Sequence, residues 1–245
     1  VEKEEVVMGE LMREKSIWAS SAACLAAFIL GVPFQLVEPP LETGMFLKLY
    51  EQALSTQLVL FCIPVVSVLP VGAVFVKEAQ NGFIRFYITR IGRIEYIRRK
   101  TAQVYVGGVI VVLTAGAVFL AGCFLFLYPL ELVGGISMGE LFNAALLLFR
   151  ICLVGGIVAQ MAGIFAVVFQ NFYMAYGLPF VCYYLLVIVK ERYLPEMYAL
   201  YPGEWVAFRE YWGADKSGIW WMLVLCSLAL WGVHGILLYR RLKDI

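Results

Sequence analysis

The sequence predicts an all-α, polytopic membrane protein: a single domain over residues 1–245 with six transmembrane helices, an amphipathic N-terminal helix and interfacial outer segments. Three observations carry this expectation. Of 245 residues, 62% are hydrophobic and 15% charged, against about 45–50% and about 25% in soluble domains. Six apolar stretches approach or exceed the roughly 20 residues that a membrane-crossing helix needs. The stretches are continuous, without the alternation of apolar and polar residues that marks a membrane β-strand.

The elements follow in chain order. Residues 1–15 place Val7/Leu11 and Met8/Met12 four apart, on one helical face, which predicts a helix lying on the inner membrane surface; a frayed acidic tail is the alternative. The first apolar stretch, Ile17–Phe34, follows an acidic segment and is long, so it is read as a retained span in preference to a cleaved leader. Within it, Ala19, Ala22, Ala23 and Ala26 form a small-residue face that a neighbouring backbone can approach closely. That face serves either packing within the chain or a seam to a second copy. An outer loop over 35–55, with Pro39-Pro40 and a helix-compatible stretch from Thr43, leads to the second span, Gln57–Val76, which Pro64 and Pro70 should kink or loosen.

The third span is Ala102–Tyr128 and the fourth Leu141–Phe169, both with glycines suited to close helix approach, Gly108 and Gly163 among them. The fourth also holds Arg150 and Gln160, the candidates for lining a translocation path, because polar groups at that depth face a cavity or a partner. Arg150 has two readings. A span from Leu141 sinks it toward mid-membrane, whereas a span of Ile151–Phe169 alone leaves it at the outer edge, reaching for headgroups. The fifth span, Phe172–Val189, and the sixth, Ile219–Tyr239, enclose an outer loop over 190–218 that contains Tyr193, Tyr198, Tyr201, Trp205, Phe208, Tyr211 and Trp212. Such rings favour the headgroup region, which predicts short interfacial helices broken near Pro195 and at Pro202-Gly203. Cargo binding through the rings is the alternative.

Charge position sets the orientation. With six spans, one side holds Lys3, Arg13, Lys15, the basic run from Lys77 to Lys100, and Arg240, Arg241 and Lys243; the other holds only Lys48, Lys190, Arg192, Arg209 and Lys216. Both termini are therefore expected in the cytoplasm, with the chain in the cell membrane. The formal net charge of +1 points to no nucleic-acid partner. The six cysteines fall one to a predicted span, which suits small buried hydrophobes and implies neither a disulfide framework nor a metal site.

Several chemistries lack their residues. No phosphate-binding GxxxxGK[ST] motif occurs, so the chain is not expected to hydrolyse ATP by itself. Its one histidine, His234, excludes a two-histidine metal site, supports no histidine-based hydrolase, and is expected to be packed. No predicted span contains a carboxylate, against the proton relay of many pumps. The chain is therefore not expected to be an enzyme. Two other classes stay open: an ion-coupled secondary transporter, and a non-transporting sensor or assembly protein.

The segment over 77–101 carries the most information. Short helical blocks place Phe83, Ile84, Tyr87 and Ile88 toward one face with basic groups elsewhere, a surface suited to docking on a protein. A topogenic loop on anionic lipid is the competing reading. The succession Glu78, Gly82, Thr89-Arg90, Tyr96 and Lys100 between a second and a third span resembles the membrane subunits of ATP-binding-cassette exporters of the type-2 permease class. The resemblance extends to the span count, the amphipathic start and the aromatic outer segment. It implies a permease paired with a separate ABC ATPase subunit, which would hold the ATP and magnesium, and with a second permease copy, identical or related. It places Glu78, Gly82, Arg85, Arg90, Arg93, Tyr96 and Lys100 in an ATPase-coupling segment and gives the alanine face of the first span a dimer partner. A basic residue of the amphipathic start is the expected partner of Glu78. Apolar spans favour an amphipathic cargo; in the resembled family these are bacterial peptide antibiotics, drugs or lipids.

Overall fold

The computed structural model describes residues 14–33, 41, 43–131, 137–208, 212 and 217–243. The pairs Val7/Leu11 and Met8/Met12 of the expected amphipathic start, and Tyr211 of the outer loop, lie outside them. The described residues are helical apart from turns and one isolated bridge between Leu41 and Glu131. The helices are α1 (Lys15–Leu30), α2 (Met45–Leu54), α3 (Gln57–Val66), α4 (Val74–Gln80), α5 (Phe83–Ile91), α6 (Arg93–Leu127), α7 (Met138–Phe169), α8 (Phe172–Arg192), α9 (Pro202–Ala207) and α10 (Gly218–Arg241).

Four of these, α6, α7, α8 and α10, are long and apolar enough to cross a membrane, and the bent pair α2 and α3 makes a fifth candidate; α1 is apolar but has only 16 residues. This suits an all-α membrane protein. At 1.5 Å per residue α6 is about 52 Å long and exceeds the ~30 Å hydrocarbon layer. Its first two turns, with the ion pairs of Glu95 to Arg98 and Arg99 at 3.1 and 3.0 Å, fit the water beyond the apolar run.

Helix α7 is the hub. Of its most apolar stretch 78% is buried, against 17% for α8 and 22% for α10. It packs against α6, α8 and α10 along their length and touches α2, α3, α4 and α9. The α6–α7 crossing is close because Gly108 lacks a side chain: a Cβ there would lie 2.8 Å from the Gly155 carbonyl and 2.6 Å from Ala159 Cβ. The outer helices bury narrow stripes at helical spacing, Ala175, Pro179 and Tyr183 in α8, and Ile219, Leu223, Ser227, His234 and Leu238 in α10.

The second predicted span departs from expectation. It is not one helix over Gln57–Val76. Helix α3 ends at Val66, residues 67–73 form successive turns around Pro70, and α4 restarts at Val74. Proline at 70 lacks the donor that would continue the helix. The helix-compatible stretch from Thr43 forms α2, which buries Phe46, Leu47, Tyr50 and Leu54 and meets α3 at a 59° bend. Tyr50 donates to the Gly116 carbonyl at 3.3 Å and stacks on Phe119. The start of α2 is capped across the chain by Glu131, whose carboxylate accepts from the Gly44 and Phe46 backbone N–H at 3.1 and 2.8 Å.

The outer loop after α8 folds inward. Pro202 begins α9, as its preset φ favours at a first helical position, and does not break a helix there. Trp205 and Val206 enter the main core, and Trp205 Nε1 donates to the Ala199 carbonyl at 2.8 Å. Among the described residues of this loop, Tyr193 is the one large ring with the exposure expected of an interfacial anchor.

Candidate coupling site at the basic end

Helices α4 and α5 form a hairpin at the end where the basic residues gather. Gly82 turns α4 into α5 at φ +70°, and Gly92 turns α5 into α6 at φ +83° and ψ 156°. A Cβ at either glycine would meet open space, so backbone conformation and not packing demands glycine. The Gly92 conformation is one that side-chain-bearing residues scarcely adopt. Gly92→Ala is therefore expected to destabilise or reorient the hairpin by about 1–3 kcal/mol, read as faster limited proteolysis at the α5–α6 junction. A rate equal to that of the native protein would contradict it.

One side of the hairpin is anchored. Phe75, Val76 and Ile84 join Tyr96, Ala166, Val167, Ala175 and Leu238 in a second core below the main one. Glu78 then ties α4 to α6. Its Oε1 accepts from Lys100 Nζ at 2.6 Å and its Oε2 from the Tyr96 hydroxyl at 2.7 Å, while Lys100 also donates to Gln103 Oε1 at 2.8 Å. The carboxylate thus pairs with Lys100; Lys3 and Arg13 of the amphipathic start, among the expected partners, lie outside the described residues. Packing supplies the reason: Tyr96 and Lys100 lie one turn apart on the buried face of α6, against α4, and a buried ammonium needs its counter-charge nearby.

The other side is open. Phe83, Phe86 and Tyr87 are exposed, Phe86 at 75%, and Arg85, Arg90 and Arg93 are exposed beside them. The structure therefore gathers Glu78, Tyr96 and Lys100 into one cluster, presents Arg90 and Arg93 outward, and leaves Arg85, though exposed, at the edge of a cavity beside α4. The four residues expected on one docking face divide: Ile84 and Ile88 turn inward against the chain, while Phe83 and Tyr87 are exposed.

A buried polar connection continues into the bundle. Gln160 is 0% exposed, and its Nε2 donates to the Thr101 carbonyl at 2.8 Å, one residue past Lys100. That carbonyl can only accept, so Gln160 Oε1 faces His234 and accepts from Nδ1 at 2.5 Å. His234, also 0% exposed, then carries its proton on Nδ1, and its bare Nε2 has no partner among the described residues. Gly163 makes room for the ring: a Cβ there would lie 2.5 Å from His234 Cε1. Farther along, the Tyr105 hydroxyl donates to Ser227 Oγ at 3.3 Å. Residues 96–105 of α6 therefore hold α4, α7 and α10 together. The sequence suggested Gln160 as a path candidate and His234 as packed. Their mutual contact, 74 residues apart in the chain, had no local signal, and neither did the part played by Thr101.

At the far end, Arg150 stands twelve residues into α7. Its guanidinium lies 5.0 Å from the Phe208 ring centroid, and the carboxylates acting on it are those of Glu204 and Glu51. Glu204 is buried and accepts from Trp212 Nε1 at 3.2 Å. Arg150 and Gln160 are thus separated by about 15 Å of helix and belong to different clusters, Arg150 under the inward-folded outer segment and Gln160 at the connection to His234.

Ala19, Ala22, Ala23 and Ala26 are exposed together with Ile29 and Leu30, whereas α1 packs on the chain through Ile17, Ser20, Ser21, Cys24, Ala27 and Phe28. Ser21 and Thr114 hydroxyls meet at 2.9 Å on that packed side. The alanine face is therefore not used within the described chain. Comparison with protein-family models gave no match, and neither did comparison with curated proteins.

Proposed function

We propose that this chain is the membrane-spanning permease subunit of an ATP-driven exporter of the type-2 ABC class, both termini in the cytoplasm, working with a separate ATPase subunit and a second permease copy. The observation that carries the reading is α5: an exposed apolar and basic helix held between two positive-φ glycines and anchored from behind by Glu78, Tyr96 and Lys100. A helix mounted in this way transmits a push. Closure of the ATPase around ATP moves α5, the Glu78 cluster carries the displacement to α6, and the Gln160–His234 connection carries it to α7 and α10. Contacts between α5 and the ATPase must differ between nucleotide states, since equal binding to both shifts nothing.

The exposed alanine face of α1 suits close approach by a second copy, and the apolar spans suit an amphipathic cargo such as a peptide antibiotic, a drug or a lipid. The test is ATP turnover by the complex isolated from the native membrane. Phe86→Ala combined with Arg90→Ala, both on the open side of α5, is expected to lower cargo-dependent turnover about 5–150-fold, the span of ordinary coupling energies, with the permease still inserted. Unchanged turnover and unchanged assembly with the ATPase would remove α5 as the coupling element. Isolation with no ATP-hydrolysing subunit at all would favour a sensor or an ion-coupled carrier.

A further inference from the structure

Three apolar runs end at one level of the basic end: the second crossing at Val76 before Lys77, the fourth run at Phe169 before Gln170, and the last at Tyr239 before Arg240 and Arg241. At that level a cavity of about 760 Å³ opens among α4, α5, the α7–α8 turn and the end of α10. Val76 and Ile84 give it an apolar floor, and Gln80, Arg85, Gln170 and Arg241 supply polar walls, with no carboxylate among the described lining residues. Arg85 and the half-buried Arg241 have no ion pair or hydrogen bond to another described side chain. Gln170 adopts a left-handed backbone at φ +50° to turn α7 into α8 beside the cavity, one of two described non-glycine residues to do so.

We propose that this cavity binds the phosphate-bearing headgroup of an anionic phospholipid from the leaflet at the basic end. Two guanidinium groups match phosphate oxygens by charge and by fork geometry, and two carboxamides suit glycerol or headgroup hydroxyls. The floor takes the first acyl carbons. Basic pockets between spans on the cytoplasmic side are where such headgroups bind, and the volume falls within the range of ordinary ligand sites. The cavity lies where the hydrocarbon layer ends, so lipid is present at high local concentration while a soluble phosphate compound must arrive from dilute solution. The bound lipid bridges the α4–α5 hairpin to the end of α10. This assignment is independent of whether α5 docks on an ATPase.

The test uses the full chain in nanodiscs of phosphatidylcholine mixed with phosphatidylglycerol, and reads by mass spectrometry the lipid retained after extraction into mild detergent. The native chain is expected to retain phosphatidylglycerol in preference. Arg241→Gln is expected to lower the preference about fivefold and Arg85→Gln with Arg241→Gln about 25-fold. Arg241→Lys should keep most of it. Arg240→Gln, one residue off the cavity, should leave it unchanged. If Arg241→Gln does not fold, Arg85→Gln on the exposed helix gives the same reading. An unchanged preference in the double variant overturns the site, and so does an equal loss in Arg240→Gln, which would mark general surface charge. Displacement of the lipid by micromolar glycerol phosphate would make a soluble compound the ligand and overturn the lipid assignment; the expected result is no displacement.

Discussion

Glu78→Ala is expected to uncouple the hairpin from the bundle and to destabilise the protein. The Lys100 side chain is 7% exposed and that of Glu78 24%, so the substitution leaves an ammonium buried beside Tyr96 with Gln103 as its remaining hydrogen-bond acceptor among the described residues. Removing one partner of a fully buried pair costs about 3–5 kcal/mol; the partial exposure of Glu78 lowers this to about 2–4 kcal/mol. Two measurements separate the consequences. Thermal unfolding in detergent should drop for Glu78→Ala and recover in Glu78→Ala with Lys100→Met, which removes the stranded charge. Cargo-dependent ATP turnover should fall in both, because neither variant restores the tie from α4 to α6. Recovery of turnover with stability in the double variant would reduce the Glu78 cluster to a structural ion pair.

The second large effect is expected at the other end of the same connection. A side chain at Gly163 competes directly with the His234 ring, which fills the space left by the missing Cβ. Gly163→Val should push the ring from Gln160, adding about 1–3 kcal/mol of overpacking to about 1 kcal/mol for the lost hydrogen bond. Hydrogen bonds between membrane helices average nearer ~0.6 kcal/mol, so overpacking dominates. The size exchange follows: Gly163→Val with His234→Ala should be more stable than the sum of the two single changes predicts, since the two sites share one space. Additive losses in unfolding temperature would place the His234 ring away from Gly163.

Much of the bundle was legible because continuous apolar runs need no tertiary information. The third to sixth runs correspond to α6, α7, α8 and α10, with boundaries differing by up to several residues. Helix α2 falls within the stretch read as helix-compatible from Thr43, but not as part of a span, because Lys48, Glu51 and Gln52 lower its mean hydropathy. A helical reading puts Lys48 and Gln52 outside while Phe46, Leu47, Tyr50 and Leu54 face inward, so periodicity was the usable signal. The break in the second crossing was foreshadowed by Pro70, which marked the place but not the seven-residue length of the turn. In the coupling segment, Gly82 stood out by residue type. The choice of Lys100 as the partner of Glu78 depends on α4 and α6 packing together, and the inward turn of Trp205 and Phe208 depends on Arg150 and α7 beneath them. Contacts of this kind arise only when distant segments meet.

Reconstitution tests most directly the proposal that ATP hydrolysed in a separate subunit seated on α5 moves the chain. The purified chain alone in proteoliposomes is expected to hydrolyse no ATP and to move no cargo under a proton or sodium gradient. The same vesicles made with the ATPase-containing complex should show ATP-dependent flux that Arg90→Ala with Phe86→Ala lowers about 5–150-fold. Gradient-driven flux by the chain alone would contradict the account.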